Sequence, residues 1–204
     1  VAGVVERRQT LPVLSNVLLV VDGNTLSLTG TDLEVELVGR IPLEEGSEAG
    51  EITVPARKLM DICKSLPDDT AITLKVEEGK ALIKAGRSRF TLATLPAADF
   101  PNVEDGPGAM SFAITQNKLR RLIDRTSFAM AQQDVRYYLN GMLMEVTADS
   151  LRAVATDGHR LATCVTEVSG LAETRQIILP RKGVLEMAKL LTDPEASVSL
   201  SLSA

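Results

Sequence analysis

The sequence predicts an α+β fold built twice from antiparallel strands, each copy with a helix on its sheet. Three observations lead there: alternating segments broken by Gly, Asp and Asn turns are frequent, proline opens two helix-patterned segments, and the chain repeats itself at a fixed spacing.

The repeat sets the domain count. Thr31-Asp32 returns as Thr156-Asp157, and Ile-Thr-Val-Pro at 52–55 returns as Ile-Ile-Leu-Pro at 177–180, both 125 residues on. At that spacing Leu14 lies on Leu139, Leu19 on Met144, Leu26 on Leu151 and Leu59 on Val184, apolar on apolar. Two domains are expected, over 1–106 and 107–204, which suits 204 residues at roughly 100–200 per domain. Val1 falls on Thr126 and Ala204 on Gly79. The first domain is therefore expected to lack its opening strand and helix start, and the second the strands matching 81–95.

In the first copy the alternation predicts a strand over 13–21, a turn at Asp22-Gly23-Asn24 and a strand over 25–29, Asp-Gly being a hairpin signal. A strand over 33–41, a Gly/Glu-rich loop over 44–50 and a strand over 51–54 follow. Pro55 starts a helix to about 66, where its missing N–H is no loss. Strands over 71–76, 81–84 and 88–95, joined by turns at 77–79 and 85–86, complete the copy. The second copy reads as a strand over 110–114 and a helix over 115–131 with Thr115 as N-cap. Strands near 137–147, 151–155, 160–168 and 176–179 come next, then a helix over 180–191. The Gly/Pro-rich stretch 105–108 links the copies.

Composition narrows the function. Hydrophobic residues at 45% and charged residues at 24% support a buried core and argue against disorder. No run approaches the ~18 apolar residues of a membrane helix, and 1–9 lacks a signal-peptide pattern. Cys63 and Cys164 stand apart and read as buried thiols of a reducing compartment, so a cytoplasmic location is expected. The net charge of -5 is unevenly spread: the three predicted helices carry +2, +3 and +2, leaving -12 for the remainder. Basic helices on an acidic body suit a polyanion, since Lys and Arg neutralise phosphates without base contacts. The competing reading is a solvated helix face. Enzyme chemistry is disfavoured by the lack of a glycine-rich phosphate loop ending in Lys-Ser/Thr and of metal-spaced ligands. His159, the single histidine, has Asp157 two residues away but no nucleophile partner or ligand set, so no catalytic residue, metal or other cofactor is expected.

Several longer words remain: Thr-Leu-Pro-Val-Leu at 10–14, Leu-Ser-Leu-Thr-Gly-Thr-Asp-Leu-Glu at 26–34, Thr-Val-Pro-Ala-Arg-Lys at 53–58, Gly-Arg-Ser-Arg-Phe at 86–90 and Leu-Pro-Ala-Ala-Asp-Phe-Pro at 95–101. The second copy adds Gln-Asp-Val-Arg-Tyr-Tyr-Leu-Asn-Gly at 133–141, Ala-Thr-Asp-Gly-His-Arg-Leu at 155–161 and Pro-Arg-Lys-Gly at 180–183. Together they resemble the beta sliding clamp family of bacterial DNA polymerase III, as found in gamma-proteobacteria, over essentially the whole chain.

That resemblance implies a duplicated DNA-clamp fold, with antiparallel sheets outside and helices lining the inner face. It implies a head-to-tail homodimer of three-domain subunits, a ring around duplex DNA that tethers the polymerase, and no chemistry of its own. This chain would supply most of the first two domains, the third being absent; alone it is expected to be monomeric and to leave circular DNA. Leu139, Thr156, Gly158, His159, Arg160 and Leu161 resemble half of a pocket for short linear peptides from the polymerase III catalytic subunit, the clamp loader, other polymerases and repair proteins. Small residues and aliphatic walls with a polar rim suit an apolar anchor; an ordinary strand turn is the alternative. Arg8 and Gln133 lie in equivalent loops that the resemblance brings to the DNA backbone, with Arg57, Lys64 and Arg136 as further contacts. Arg87, Arg89, Phe90 and Leu92 would form the dimer edge, which can also pair within its own sheet. A peptide-binding scaffold unconnected with DNA stays open as a third reading.

Overall fold

The computed structural model describes residues 1–5, 11–44, 47–101, 108–169 and 173–203. The chain divides into two compact units, Val1–Val103 and Glu104–Ala204.

In the first unit β1 (Asn16–Asp22), β2 (Thr25–Thr31), β3 (Glu36–Pro42) and β4 (Gly50–Pro55) form an antiparallel sheet in the order β3-β2-β1-β4. Gly23, at φ +53, sits in the two-residue β1–β2 turn, a conformation open to glycine without strain. Helix α1 (Ala56–Ser65) follows directly, and β5 (Ile72–Glu77), β6 (Lys80–Ala85) and β7 (Ser88–Ala93) form a second sheet. Ala56, Leu59, Ile62 and Leu66 recur at helical spacing and turn one stripe of α1 toward Val17, Leu19, Val54 and Ile83. Thr53, fully buried, ties β4 to the end of β7: its hydroxyl donates to Leu95 O and accepts from Asn16 Nδ2, both at 2.9 Å. Every buried polar atom of that link is satisfied, as a dry interior requires.

The second unit runs β8 (Gly108–Thr115), α2 (Gln116–Thr126), β9 (Gly141–Val146), β10 (Ser150–Thr156), β11 (Leu161–Glu167), β12 (Arg175–Pro180), α3 (Arg181–Leu190) and β13 (Ser197–Ser203). Its main sheet has the order β11-β10-β9-β12, and β13 pairs with β8. Leu119, Leu122 and Ile123 of α2 are buried against Met142, Met144 and Leu151.

The duplication extends to the hydrogen-bond register. Asn16 opposes Pro55 and Gly141 opposes Pro180; Leu18 opposes Thr29 and Leu143 opposes Val154; Thr25 opposes Pro42 and Ser150 opposes Glu167. Each position lies 125 residues after its counterpart, and α3 begins and ends 125 residues after α1. β13 likewise begins 125 residues after β5, but whereas Val198, Leu200 and Leu202 of β13 pack against the core of the second unit, Ile72, Leu74 and Val76 of β5 are exposed.

Four element boundaries differ from expectation by three residues or more. The strand over 13–21 starts at Asn16 because Pro12–Ser15 forms a 3-10 turn, Pro12 having no N–H to pair. The strand over 33–41 starts at Glu36, because residues 31–35 close a hairpin with Leu33 at φ +78. The helix over 115–131 ends at Thr126, whose buried hydroxyl bonds back to Leu122 O at 2.7 Å and leads into a 3-10 turn at Ser127–Ala129. The strand near 137–147 starts at Gly141, after a 3-10 turn at Tyr137–Leu139. Thr115 makes no side-chain cap either; Ala196 O and Pro194 O accept the N–H groups of Gln116 and Asn117 instead, which satisfies the helix start from the approach to β13. Residues 105–107 of the expected linker lie outside the described residues.

Gly141 is held by close backbone approach: a Cβ there would lie 2.5 Å from Leu179 O and 2.8 Å from Ile178 Cγ2. Gly141→Ala is expected to destabilise the protein by about 1–3 kcal/mol through overpacking, and Leu122→Ala by about 2–5 kcal/mol through a cavity. Urea titration followed by far-ultraviolet circular dichroism measures both.

Candidate functional site

The turn joining β10 to β11 is built by two side chains. The Thr156 hydroxyl donates to Arg160 O at 2.8 Å and accepts the Gly158 N–H at 3.1 Å. Asp157 Oδ1 accepts the N–H groups of His159 and Arg160, each at 3.0 Å. Thr31 and Asp32 make the same four bonds around Leu33, Glu34 and Val35 at 2.8–3.1 Å, and Leu33 at φ +78 takes the place of Gly158 at φ +90. The turn is therefore a folding device common to both units. Asp157, whose carboxyl is lowered by the bonds from the His159 and Arg160 backbones, is committed to it rather than to base catalysis.

What the second unit adds around this turn is two arginines, Arg136 and Arg160, and exposed aromatic rings, where the first unit has Leu11 and Val35 at the arginine positions. Arg160 Nε donates to Asp157 Oδ2 at 2.9 Å, and its guanidinium stands 5.6 Å from the Phe128 ring centroid. Leu161 is 64% exposed, Phe128 57% and Tyr138 51%, an unusual density of bare apolar side chains. The loop over 131–140 meets the turn through Arg136, whose guanidinium nitrogens would lie 3.1 and 3.3 Å from a Cβ on Gly158. Leu139, half-buried, closes the 3-10 turn of that loop by donating its N–H to Arg136 O at 2.8 Å. Arg136 also forks onto Asp134, and its side chain and backbone N–H together hold the Asp134 carboxyl down to about 2. His159 is exposed, with its backbone spent on the turn.

Of the residues expected at this site, Gly158 and Arg160 are thus drawn to the neighbouring loop and ring. Sequence reasoning missed Asp134 and Phe128. Asp134 carried a signal in its spacing to Arg136; Phe128 carried none, since only the end of α2 at Thr126 turns it toward the hairpin.

The basic helices differ in how free their charges are. Lys118, Arg121 and Arg125 form an exposed stripe on α2, opposite the buried Leu119, Leu122 and Ile123. Lys118 Nζ donates to Glu167 O at 3.2 Å, and Arg120 is shared between Asp124 and Ala188 O. Among the described residues Arg121 and Arg125 have no ion-pair partner, and the same holds for Arg57, Lys58 and Lys64 on α1, all exposed. On α3, Lys189 pairs with Glu186 at 2.6 Å and Arg181 donates to Met130 O at 3.3 Å. Gln133, exposed at φ +55, lies in the loop of Asp134, whereas Arg8 lies outside the described residues.

On β7, an edge strand of its sheet, pleating separates the residues expected to act together. Arg89 faces solvent opposite Lys84, and Arg87 is exposed in the preceding turn. Phe90 is half-buried, while Leu92, 5% exposed, is part of the unit's own core and cannot present its side chain outward.

No helix among the described residues is long and apolar enough to cross a membrane, and none of their His, Cys, Asp and Glu side chains cluster as metal ligands. Comparison with known proteins supplies the context. Residues 1–104 match the family model of the DNA polymerase III beta subunit N-terminal domain, and residues 113–204 that of its central domain. The chain belongs to the DNA polymerase III beta subunit family. The beta sliding clamp of Pseudomonas putida KT2440 is 72% identical over 203 residues, covering 99% of the chain and 55% of the relative. That of Escherichia coli K12 is 51% identical over 191 residues, covering 94% and 52%. A Pseudomonas aeruginosa sliding clamp bound to griselimycin superposes with a TM-score of 0.94 at 70% identity, over 100% of this chain and 55% of that one. A Caulobacter crescentus sliding clamp gives 0.92 at 40% identity, over 100% and 56%. The chain spans about half the length of the beta subunit family members it matches.

Because Asp134 has its carboxyl lowered from 3.8 to about 2, the Asp134–Arg136 fork contributes fully above about pH 4 and is lost as pH falls through about 2. Carboxyl carbon NMR is expected to give Asp134 a midpoint near 2, and Arg136→Ala is expected to return it toward the ordinary value.

Proposed function

We propose that this sequence forms the first and central domains, over 1–106 and 107–204, of a DNA sliding clamp: a ring-shaped homodimer that encircles duplex DNA and tethers the replicative polymerase. The carrying observation is that Arg57, Lys58 and Lys64 of α1 and Arg121 and Arg125 of α2 are exposed and without an ion-pair partner among the described residues, in a family member whose net charge is -5. Such side chains hold a phosphate backbone without reading its sequence, which a protein that must move along DNA requires. Arg57, Lys64, Arg121 and Arg125 lead this contact, with Gln133 and Arg8 in equivalent loops. Arg136, already forked to Asp134, fits the turn better than the DNA.

The turn around Gly158 and Leu161, with Leu139, is proposed as the dock for short peptides of the catalytic subunit, the clamp loader, and other polymerases and repair proteins. Exposed aliphatic and aromatic side chains around paired charges support it, because an apolar anchor gains most where the rim charges are already neutralised. Griselimycin is proposed to bind here as well. The β7 edge, with Arg87, Arg89 and Phe90, is proposed for dimerisation, Leu92 acting from the core beneath. The protein performs no chemistry itself, takes no cofactor and works in the cytoplasm with the replication machinery.

Retention on nicked circular DNA, followed by linearisation, tests the ring in a protein of the relatives' full length carrying this sequence. Retention on circles and loss from linear ends is expected; equal loss from both would reduce the contact to ordinary electrostatic binding. Arg121→Glu with Arg125→Glu is expected to weaken DNA binding and to flatten its log–log salt slope by about 2, leaving griselimycin binding unchanged. Unchanged DNA binding would favour a peptide scaffold unconnected with DNA.

A further inference from the structure

We infer that Asp134 is a positioning residue of the turn site, holding the Arg136 guanidinium across Gly158 so that its outward N–H groups meet a carbonyl or carboxylate oxygen of a bound peptide. The inference rests on the peptide-docking reading of the turn. Asp134 accepts Arg136 Nε at 3.0 Å and Nη2 at 2.9 Å, and its Oδ1 also accepts the Arg136 backbone N–H at 2.8 Å. Asn140 fixes Asp134 from the other side: Asp134 N–H donates to Asn140 Oδ1 at 2.9 Å, and Asn140 Nδ2 donates to Asp134 O at 2.8 Å.

The division of roles follows from exposure and donor count. The Asp134 side chain is 21% exposed and that of Arg136 48%, so the arginine faces the solvent side and the aspartate faces the arginine. Asp134 uses two of the five guanidinium N–H groups, which leaves donors for a ligand acceptor in a fixed plane. Gly158 is the seat of that plane, since a Cβ there would lie 3.1 Å from Nη2. The first unit shows that the hairpin does not need the pair: with the same turn bonds it carries Leu11 and Leu33 at the positions of Arg136 and Gly158. The fork is therefore an addition to the turn, made where the first unit has the exposed Leu11 and Leu33 instead.

The test titrates griselimycin into the full-length protein carrying Asp134→Ala, Arg136→Ala, both together, or Leu161→Ala, with thermal midpoints measured in parallel. Asp134→Ala and Arg136→Ala are each expected to weaken binding about tenfold, and the double variant no more than Arg136→Ala alone, as coupled residues behave. Asp134→Glu, which keeps a carboxylate, is expected to restore part of the loss; Asp134→Asn replaces the alanine variant should that one not fold. If the aspartate substitution weakens binding equally when Arg136 is already alanine, Asp134 is only a loop prop and the inference is overturned. It is also overturned if Leu161→Ala weakens binding while the Asp134 and Arg136 variants do not, the site itself then standing. Unchanged affinity in every variant would remove the docking site and this role together.

Discussion

The Thr–Asp turn is the constraint on which the remaining structure depends. By fixing Thr156 opposite Leu161 it sets every pair along β10 and β11 down to Ser150 opposite Glu167. A slip of one residue would turn Leu151, Ala153 and Ala155, all buried, to the other face of the sheet. Thr31 and Asp32 impose the same register on β2 and β3. Four hydrogen bonds from two side chains thus determine which face of each sheet is apolar, and with it where the helices pack.

The same economy explains how one turn can carry the proposed docking role as well as its folding role. Its polar groups are consumed internally, so its outward surface is free to vary without disturbing the register. In the first unit that surface carries Leu33, Glu34 and Val35; in the second it carries Gly158, His159 and Arg160. Replacing a side chain at the positive-φ position by glycine relieves local strain and also clears the ground on which Arg136 lies. The docking role proposed for the second unit falls at positions the fold leaves uncommitted.

Charge follows a comparable division. The cations around the turn are paired with Asp134 and Asp157, whereas Arg57, Lys64, Arg121 and Arg125 stand on helices whose opposite stripes are buried. Paired charges give orientation at little cost in desolvation, and unpaired ones give long-range attraction that salt weakens. The proposed clamp, gripping a peptide in one pose and DNA in none in particular, would use both kinds.

The sequence by itself determined the duplication, the order of strands and helices, the helix starts to within one residue and the family, because repeat spacing, alternation and local backbone chemistry are written along the chain. Pro55 and Pro180 end their strands and cap helices beginning at Ala56 and Arg181. The tertiary structure decided what depends on residues far apart or on the pleat. Leu92 fell to the core and Arg89 to the surface because neighbours on a strand face opposite ways. The end of α2 at Thr126 came from a hydroxyl bonding back to Leu122, a competition that helical periodicity does not reveal. Phe128 beneath Arg160 and Arg136 over Gly158 arise only when hairpin and loop are folded against each other, since no spacing along the chain encodes contacts made across more than twenty residues.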